Sequence, residues 1–265
     1  MNRKQAEASS AWLLGSLGVG AGLLIWAAGG GFWWAAGFLL VGIAIGLWRD
    51  TYSRSAVLFY ELEDDAQQAY VALTEAFDRA ASCNGKWHID AGGNVETLAA
   101  WKRNAGAGRI VARQPTTLTY ALPSFLKCNI TPPALRVGKE TLMFLPDVVL
   151  VVEKEKVGAV SYDALNIRYQ DSQFIESEAV PADAEVISQT WQHPNKSGGP
   201  DRRFKDNRLI PICLYETAHL TSSNGLNELV QFSRTGVTQP LVDAVRFLAR
   251  STRTKSAASA MPSLQ

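Results

Sequence analysis

The residues of this chain best suited to chemistry lie between Trp191 and Arg208. Trp191, Asn195-Lys196, Gly198-Gly199-Pro200-Asp201-Arg202-Arg203-Phe204 and Asn207-Arg208 form its most distinctive stretch, and from His193 to Arg208 five Lys or Arg stand against two Asp. Glycines let backbone amides approach an anion, and adjacent arginines can fork onto phosphate or carboxylate. The pattern predicts a binding surface of Trp191, Asn195, Lys196, Arg202, Arg203 and Arg208, oriented by Asp201 and Asn207. The same residue types also suit a structural role. In that role Asp201 pairs with one arginine, Asn195 and Asn207 bond to loop backbone, and Trp191 and Phe204 pin the loop down.

Catalysis has fewer supports. An enzyme acting on a phosphate ester or nucleic acid would use His193 as acid or base, with the arginines stabilising charge. Pro146-Asp147 ahead of Glu153-Lys154-Glu155-Lys156 invites comparison with metal-dependent nucleases, but no acidic residue stands two places before Lys154 or Lys156. His88, His193 and His219 are dispersed, and Cys83 with His88 makes two ligands, too few for a metal site. No GxSxG elbow, GxxxxGK phosphate loop or HExxH helix occurs. Gly18-x-Gly20 and Gly106-x-Gly108 are not dinucleotide fingerprints. Cys83, Cys128 and Cys213 are odd in number and without a CxxC, so they predict packed, reduced thiols. Neither a metal nor a cofactor is expected.

The elements that position this stretch must come from a chain with two compositions. Of 265 residues, 47% are hydrophobic and 19% charged, yet no Asp, Glu, Lys or Arg occurs between Glu7 and Arg49. From Arg49 onward the charges balance at 24 basic and 24 acidic, which argues against a module that wraps nucleic acid. Residues 11–48 as one helix would measure about 57 Å, nearly twice a hydrocarbon core of about 30 Å. Gly29, Gly30 and Gly31 divide the run, predicting a transmembrane helical hairpin with spans near 11–28 and 32–48. Arg3 and Lys4 before it, and Arg49 and Arg54 after it, predict that both termini are cytoplasmic. Gly18 with Gly22, and Gly42 with Gly46, would let such helices approach closely or oligomerise.

Beyond Arg54 the pattern reads as a short strand at 56–60, then an amphipathic helix from Glu63-Asp64-Asp65 to about Ser82, with Ala66, Ala69, Tyr70, Leu73, Phe77 and Ala80 on one face. A strand at 86–89 is followed by a Gly- and Asn-rich stretch at 90–108. Further strands are predicted at 109–113, 117–122, 140–145, 148–153, 157–162, 166–170, 185–190, 209–217 and 228–233. Pro240 opens a closing helix over 239–250, and 251–265 is predicted to be disordered. Arg246, Arg250, Arg253 and Lys255 give that end a basic face suited to anionic lipid.

Two resemblances follow from these residues. The strands Thr141–Leu145 and Val148–Glu153 about a Pro146-Asp147 turn, then Val157–Tyr162 and the turn to Leu165, resemble in their order the bacterial pleckstrin-homology and GRAM-type domains. The resemblance implies a PH-like split barrel closed by a C-terminal helix, with the stretch from about 171 to 208 as an insertion. The Trp191, Gly198-Gly199-Pro200-Asp201-Arg202-Arg203-Phe204 and Asn207-Arg208 spacing is similar to the signature of an uncharacterised bacterial membrane-associated domain family, over about Phe59 to Arg234. That family implies no reaction, cofactor or catalytic residue.

The sequence thus predicts a cytosolic N-terminus at 1–10, a membrane hairpin at 11–48, a mainly β (α+β) cytosolic domain at 56–250 and a tail at 251–265. The expected location is a bacterial inner membrane, multi-pass. The expected function is a membrane-tethered binding or scaffold module, integral to the lipid bilayer, that recognises a protein partner or an anionic, phosphate-bearing ligand such as a lipid headgroup. The His193 enzyme is the alternative, and a membrane-perturbing effector acting through the hairpin is the third reading.

Overall fold

The structure, a computed structural model, describes residues 56–94, 109–154 and 156–260, together with single positions between 16 and 45. It is mainly β. The chain runs β1 (Ala56–Leu58), α1 (Asp64–Ala81), β2 (Lys86–Asn94), β3 (Arg109–Pro115), β4 (Leu118–Tyr120), β5 (Leu126–Cys128), β6 (Pro133–Val137), β7 (Glu140–Phe144), β8 (Val148–Glu153), β9 (Lys156–Ser161), β10 (Leu165–Ile175), β11 (Glu185–Trp191), β12 (Leu209–Ser222), β13 (Asn227–Phe232) and α2 (Thr238–Ala260).

This architecture corrects the expected fold class. Among the described residues no helix is long and apolar enough to cross a membrane. The hairpin expected over 11–48 is therefore no part of the observed fold, and the multi-pass inner-membrane location that rested on it falls with it. Most of 11–48 lies outside the described residues. The inference leaned on span length and flanking charge, which are weaker quantities than apolar surface. Ten of those 38 residues are glycine, each adding no side chain to bury and weakening a helix by about 1 kcal/mol relative to alanine.

The chain divides into two units. In the smaller one β1 and β5 pair in parallel, Ala56 opposite Leu126 and Leu58 opposite Cys128. The Asn129 amide closes that pair on both sides of one backbone position, accepting the Tyr60 N–H at 2.9 Å and donating to the Tyr60 carbonyl at 2.8 Å.

The larger unit carries two sheets where a split barrel closed by one helix was expected. One is five-stranded in the order β4-β6-β7-β8-β9, with antiparallel pairing from β4 through β8. The other is six-stranded, ordered β10-β12-β13-β2-β3 with β11 added on β12. The stretch 171–208 is only partly an insertion. Residues through Ile175 continue β10, and Glu185–Trp191 form β11, so both extend the second sheet against the 14-residue β12.

Helix α1 starts where acidic side chains suit its positive end and finishes with Arg79 in its last turn. Its final carbonyls are capped by the Lys86 ammonium, which donates to Ala81 O at 2.9 Å and also to Cys83 O. Ala69, Leu73, Phe77 and Ala80 are buried along one face. Helix α2 packs beside α1 and buries Leu241, Val242, Ala244, Val245 and Leu248. Arg234, just ahead of α2, donates to Arg79 O and to Ser82 Oγ at the end of α1, so the two helices run antiparallel. The backbone of α2 continues to Ala260, ten residues past its expected end.

A carboxylate starts α2. Glu216 of β12 is 1% exposed and accepts the Gly236 N–H at 2.7 Å and the Thr238 N–H at 2.6 Å. Its alternation places Ala218 and Leu220 on the same face of β12, both buried. Tyr70 of α1 donates to Phe144 O, and Tyr162 to Leu145 O, tying the helix layer and the end of β9 to the end of β7.

The opposite face of the six-stranded sheet holds Tyr215 and Thr217 of β12, Gln231 of β13 and Trp87 of β2, by register Thr217 to Gln231 to Trp87. Ser172, Thr217 and Gln231 are joined there by hydrogen bonds of 3.2 to 3.4 Å.

Candidate functional site

The expected site is the connection between β11 and β12. Trp191, half-buried, ends β11 opposite Leu209, and the Gln192 N–H donates to Arg208 O at 2.8 Å to close the base of the loop. Above that base the loop folds onto itself. Asn207 clamps one backbone position from both sides, accepting the His193 N–H at 2.9 Å and donating to the His193 carbonyl at 2.8 Å. His193 O also accepts the Asp201 N–H, and the His193 ring stacks on Phe204 with centroids 3.9 Å apart.

Asn195 organises the tip. Its Oδ1 accepts the N–H groups of Ser197 and Gly199 at 2.8 and 2.9 Å, while its own N–H donates to Gly199 O at 2.7 Å. Gly198 sits at φ +82°, a left-handed conformation that side chains with a Cβ rarely adopt. Asp201 is the buried acid of the loop, its side chain 8% exposed. It accepts Arg203 Nε at 3.0 Å and Nη2 at 2.6 Å, and the Arg203 N–H at 3.2 Å. That forked contact raises the Arg203 pKa, so the guanidinium is held charged.

Of the residues expected to bind or orient, Asn195, Asn207, Asp201 and Arg203 are engaged within the loop. Lys196, Arg202 and Arg208 are exposed, as is Lys205, and among the described residues none of these four enters an ion pair. The loop is thus a framed turn whose internal acid is matched by one arginine and whose remaining cations face outward.

His193 has no chemical partner for acid–base work. Its Nδ1 is buried without a hydrogen bond, its ring is stacked, and no carboxylate, hydroxyl or thiol is bonded to it among the described residues. Among those residues no group of three His, Cys, Asp or Glu is arranged to hold a metal ion. Cys213 and Cys83 are buried, and desolvation pushes both thiols up, which disfavours a nucleophilic thiolate.

Sequence reasoning missed a closely knit polar cluster on the six-stranded sheet. The Arg113 guanidinium lies between the Trp87 ring at 4.0 Å and the Phe174 ring at 4.1 Å. Its Nη2 meets Glu176 Oε2 at 2.6 Å, and the Tyr215 hydroxyl donates to the same oxygen at 2.9 Å. Burial, then the Glu176 contact, pushes the Tyr215 phenol strongly up, so it remains a donor. The cluster stands on β2, β3, β10 and β12, and no local spacing announces it.

No family model, curated protein or solved structure matches this chain.

Proposed function

We propose that this protein is a binding module whose β11–β12 loop receives an anionic, phosphate-bearing ligand. The observation that supports the reading is the division of labour within the loop. Asn195, Asn207 and the Asp201–Arg203 pair hold the backbone, while Lys196, Arg202, Lys205 and Arg208 stay exposed and enter no ion pair among the described residues. A frame already hydrogen-bonded loses little conformational entropy when a ligand arrives, so the charge attraction goes into affinity. Arginine suits phosphate because its planar fork donates two parallel hydrogen bonds. Attraction by exposed cations is screened by salt over about 8 Å at physiological ionic strength, so binding should weaken as salt rises.

The test is calorimetric titration of the full-length chain with inorganic pyrophosphate at low and high salt. Wild type should bind saturably, and Arg202→Ala with Arg208→Ala should weaken binding by about tenfold, or about 1.4 kcal/mol. The double variant should melt within a few degrees of wild type, because neither side chain holds the loop. Absence of saturable binding in wild type, or equal binding by the double variant, would defeat the reading.

A further inference from the structure

The β11–β12 loop carries an aromatic surface that its internal frame does not use up. The His193 and Phe204 rings lie nearly parallel, 19° between planes and 3.9 Å between centroids. Phe204 nevertheless remains 40% exposed, so packing on His193 leaves much of the phenyl ring open to solvent. Both rings are held through their backbones. The His193 N–H donates to Asn207 Oδ1 at 2.9 Å, and the His193 carbonyl accepts from Asn207 Nδ2 at 2.8 Å and from the Asp201 N–H at 3.0 Å. The Phe204 N–H donates to Asp201 O at 3.1 Å. The stack is therefore a fixed surface, already ordered before any ligand arrives.

The turn that Phe204 closes sets cations on both sides of that surface along the chain. Because Asp201 O accepts the Phe204 N–H, Arg202 and Arg203 occupy the two central positions of the turn. Arg203 is committed to Asp201, with Nε at 3.0 Å and Nη2 at 2.6 Å from its carboxylate. Arg202 is exposed at the corner, and Lys205, also exposed, directly follows Phe204. Neither enters an ion pair among the described residues. An open aromatic ring between two uncommitted cations matches a ligand that joins a flat base to a phosphate. A bare phosphate would leave the ring unused, and a bare base would leave the cations unused. The balance of 24 basic and 24 acidic residues from Arg49 onward favours a free nucleotide over a nucleic-acid polymer.

We propose that the ligand of this loop is a nucleoside phosphate, its base stacked on Phe204 and its phosphate held by Arg202 and Lys205. With one face on His193, the phenyl ring offers the other to the base. Stacking of this kind accepts any base, because each has a π-face, and favours no particular base edge. The inference rests on the phosphate reading of the loop and adds the part that selects among phosphate-bearing ligands.

The experiment titrates the full-length chain with adenosine monophosphate, with ribose phosphate, which differs from it by the base, and with pyrophosphate, while NMR follows the adenine protons. Adenosine monophosphate should bind about tenfold more tightly than ribose phosphate, and its adenine protons should move upfield as the phenyl ring current reaches them. Phe204→Leu keeps an apolar side chain without a π-face, so the two affinities should converge and the upfield shift should vanish. Phe204→Trp enlarges the face and should widen the gap. In wild type, an adenosine monophosphate affinity no greater than that of ribose phosphate would overturn the proposal, and so would a gap that survives unchanged in Phe204→Leu. Saturable pyrophosphate binding beside the first of these results would leave the phosphate reading standing without the base, and its absence would remove both. The wild-type comparison needs no variant to fold.

Discussion

Arg113 and Glu176 join the two ends of one sheet. β3 and β10 stand at opposite ends of the strand order, yet Arg113 Nη2 on β3 lies 2.6 Å from Glu176 Oε2, directly after β10. The sheet must therefore curl until its first and last strands face each other across Trp87, Phe174 and Tyr215. The Glu176 side chain is 1% exposed and that of Arg113 10%. Arg113→Ala should cost about 3–5 kcal/mol in denaturant unfolding, because it strands a buried carboxylate. Arg113→Lys should recover only part of this loss, since an ammonium cannot lie flat between two rings. A loss below about 1 kcal/mol for Arg113→Ala would mean that the seam carries no stability.

Glu216 makes a second buried carboxylate do the work of a helix cap. Hydrogen bonds to charged groups contribute about 1.5–3 kcal/mol each, and Glu216 accepts two backbone donors at the start of α2. Glu216→Ala should therefore lower stability by about 3 kcal/mol or more. Glu216→Gln should fall between, because its amide offers one acceptor oxygen. Thermal unfolding of the three proteins decides the order.

Asn207→Ala removes both hydrogen bonds from the His193 backbone. The global cost should be small, about 1–2 kcal/mol, while proteolysis within 193–206 should quicken and pyrophosphate affinity should fall. Asn207→Asp keeps the acceptor and loses the donor, so it should rank between the two. Unchanged proteolysis in Asn207→Ala would show that Asn195 and Asp201 hold the loop unaided.

Glu140 provides a stability test whose sign is fixed. Burial, then the charges of Glu228 and Glu153, raise its pKa in the folded protein, so the folded state holds the proton more tightly than the unfolded chain. The favourable contribution is full below the unfolded value and is lost as pH rises through the folded one. Glu140→Gln should therefore raise the melting temperature at neutral pH, and the gap should close in acid. Tyr120 behaves likewise at the alkaline end. Burial and its hydrogen bond to Asp78 push the phenol up to about 12, so its contribution should be lost as pH climbs from its ordinary value toward that point.

Local patterns exposed much of this fold. The acidic start and alanine-rich stripe of α1, and the alternation and turn residues of β7 through β9, place those elements within a residue or two of where they stand. Two short strands escaped. β5 has three residues, and β6 opens at Pro133 after Pro132, so neither carries enough alternation to be seen before a neighbouring strand supplies its hydrogen bonds. The internal bonds of the 192–208 loop follow from Asn and Asp beside glycine, which is a local code. The Arg113–Glu176 and His88–Glu228 contacts obey none. Glu176 is 63 positions from Arg113, and Glu228 is 140 from His88, so only strand register brings them together.

The curled sheet also sets an order on synthesis. β6, β7 and β8 follow one another along the chain, and β4 precedes them with only the short β5 between, so that sheet can assemble soon after it leaves the ribosome. Trp87 must wait for Gln231, its partner on β13. At about 5–20 residues per second the delay is on the order of ten seconds. Throughout it, the β2–β3 hairpin presents an open edge with no β13 to cover it, and no complete sheet yet brings Glu176 to Arg113. Conditions that slow translation past β10 should raise the share of chains lost to aggregation before the sheet can close.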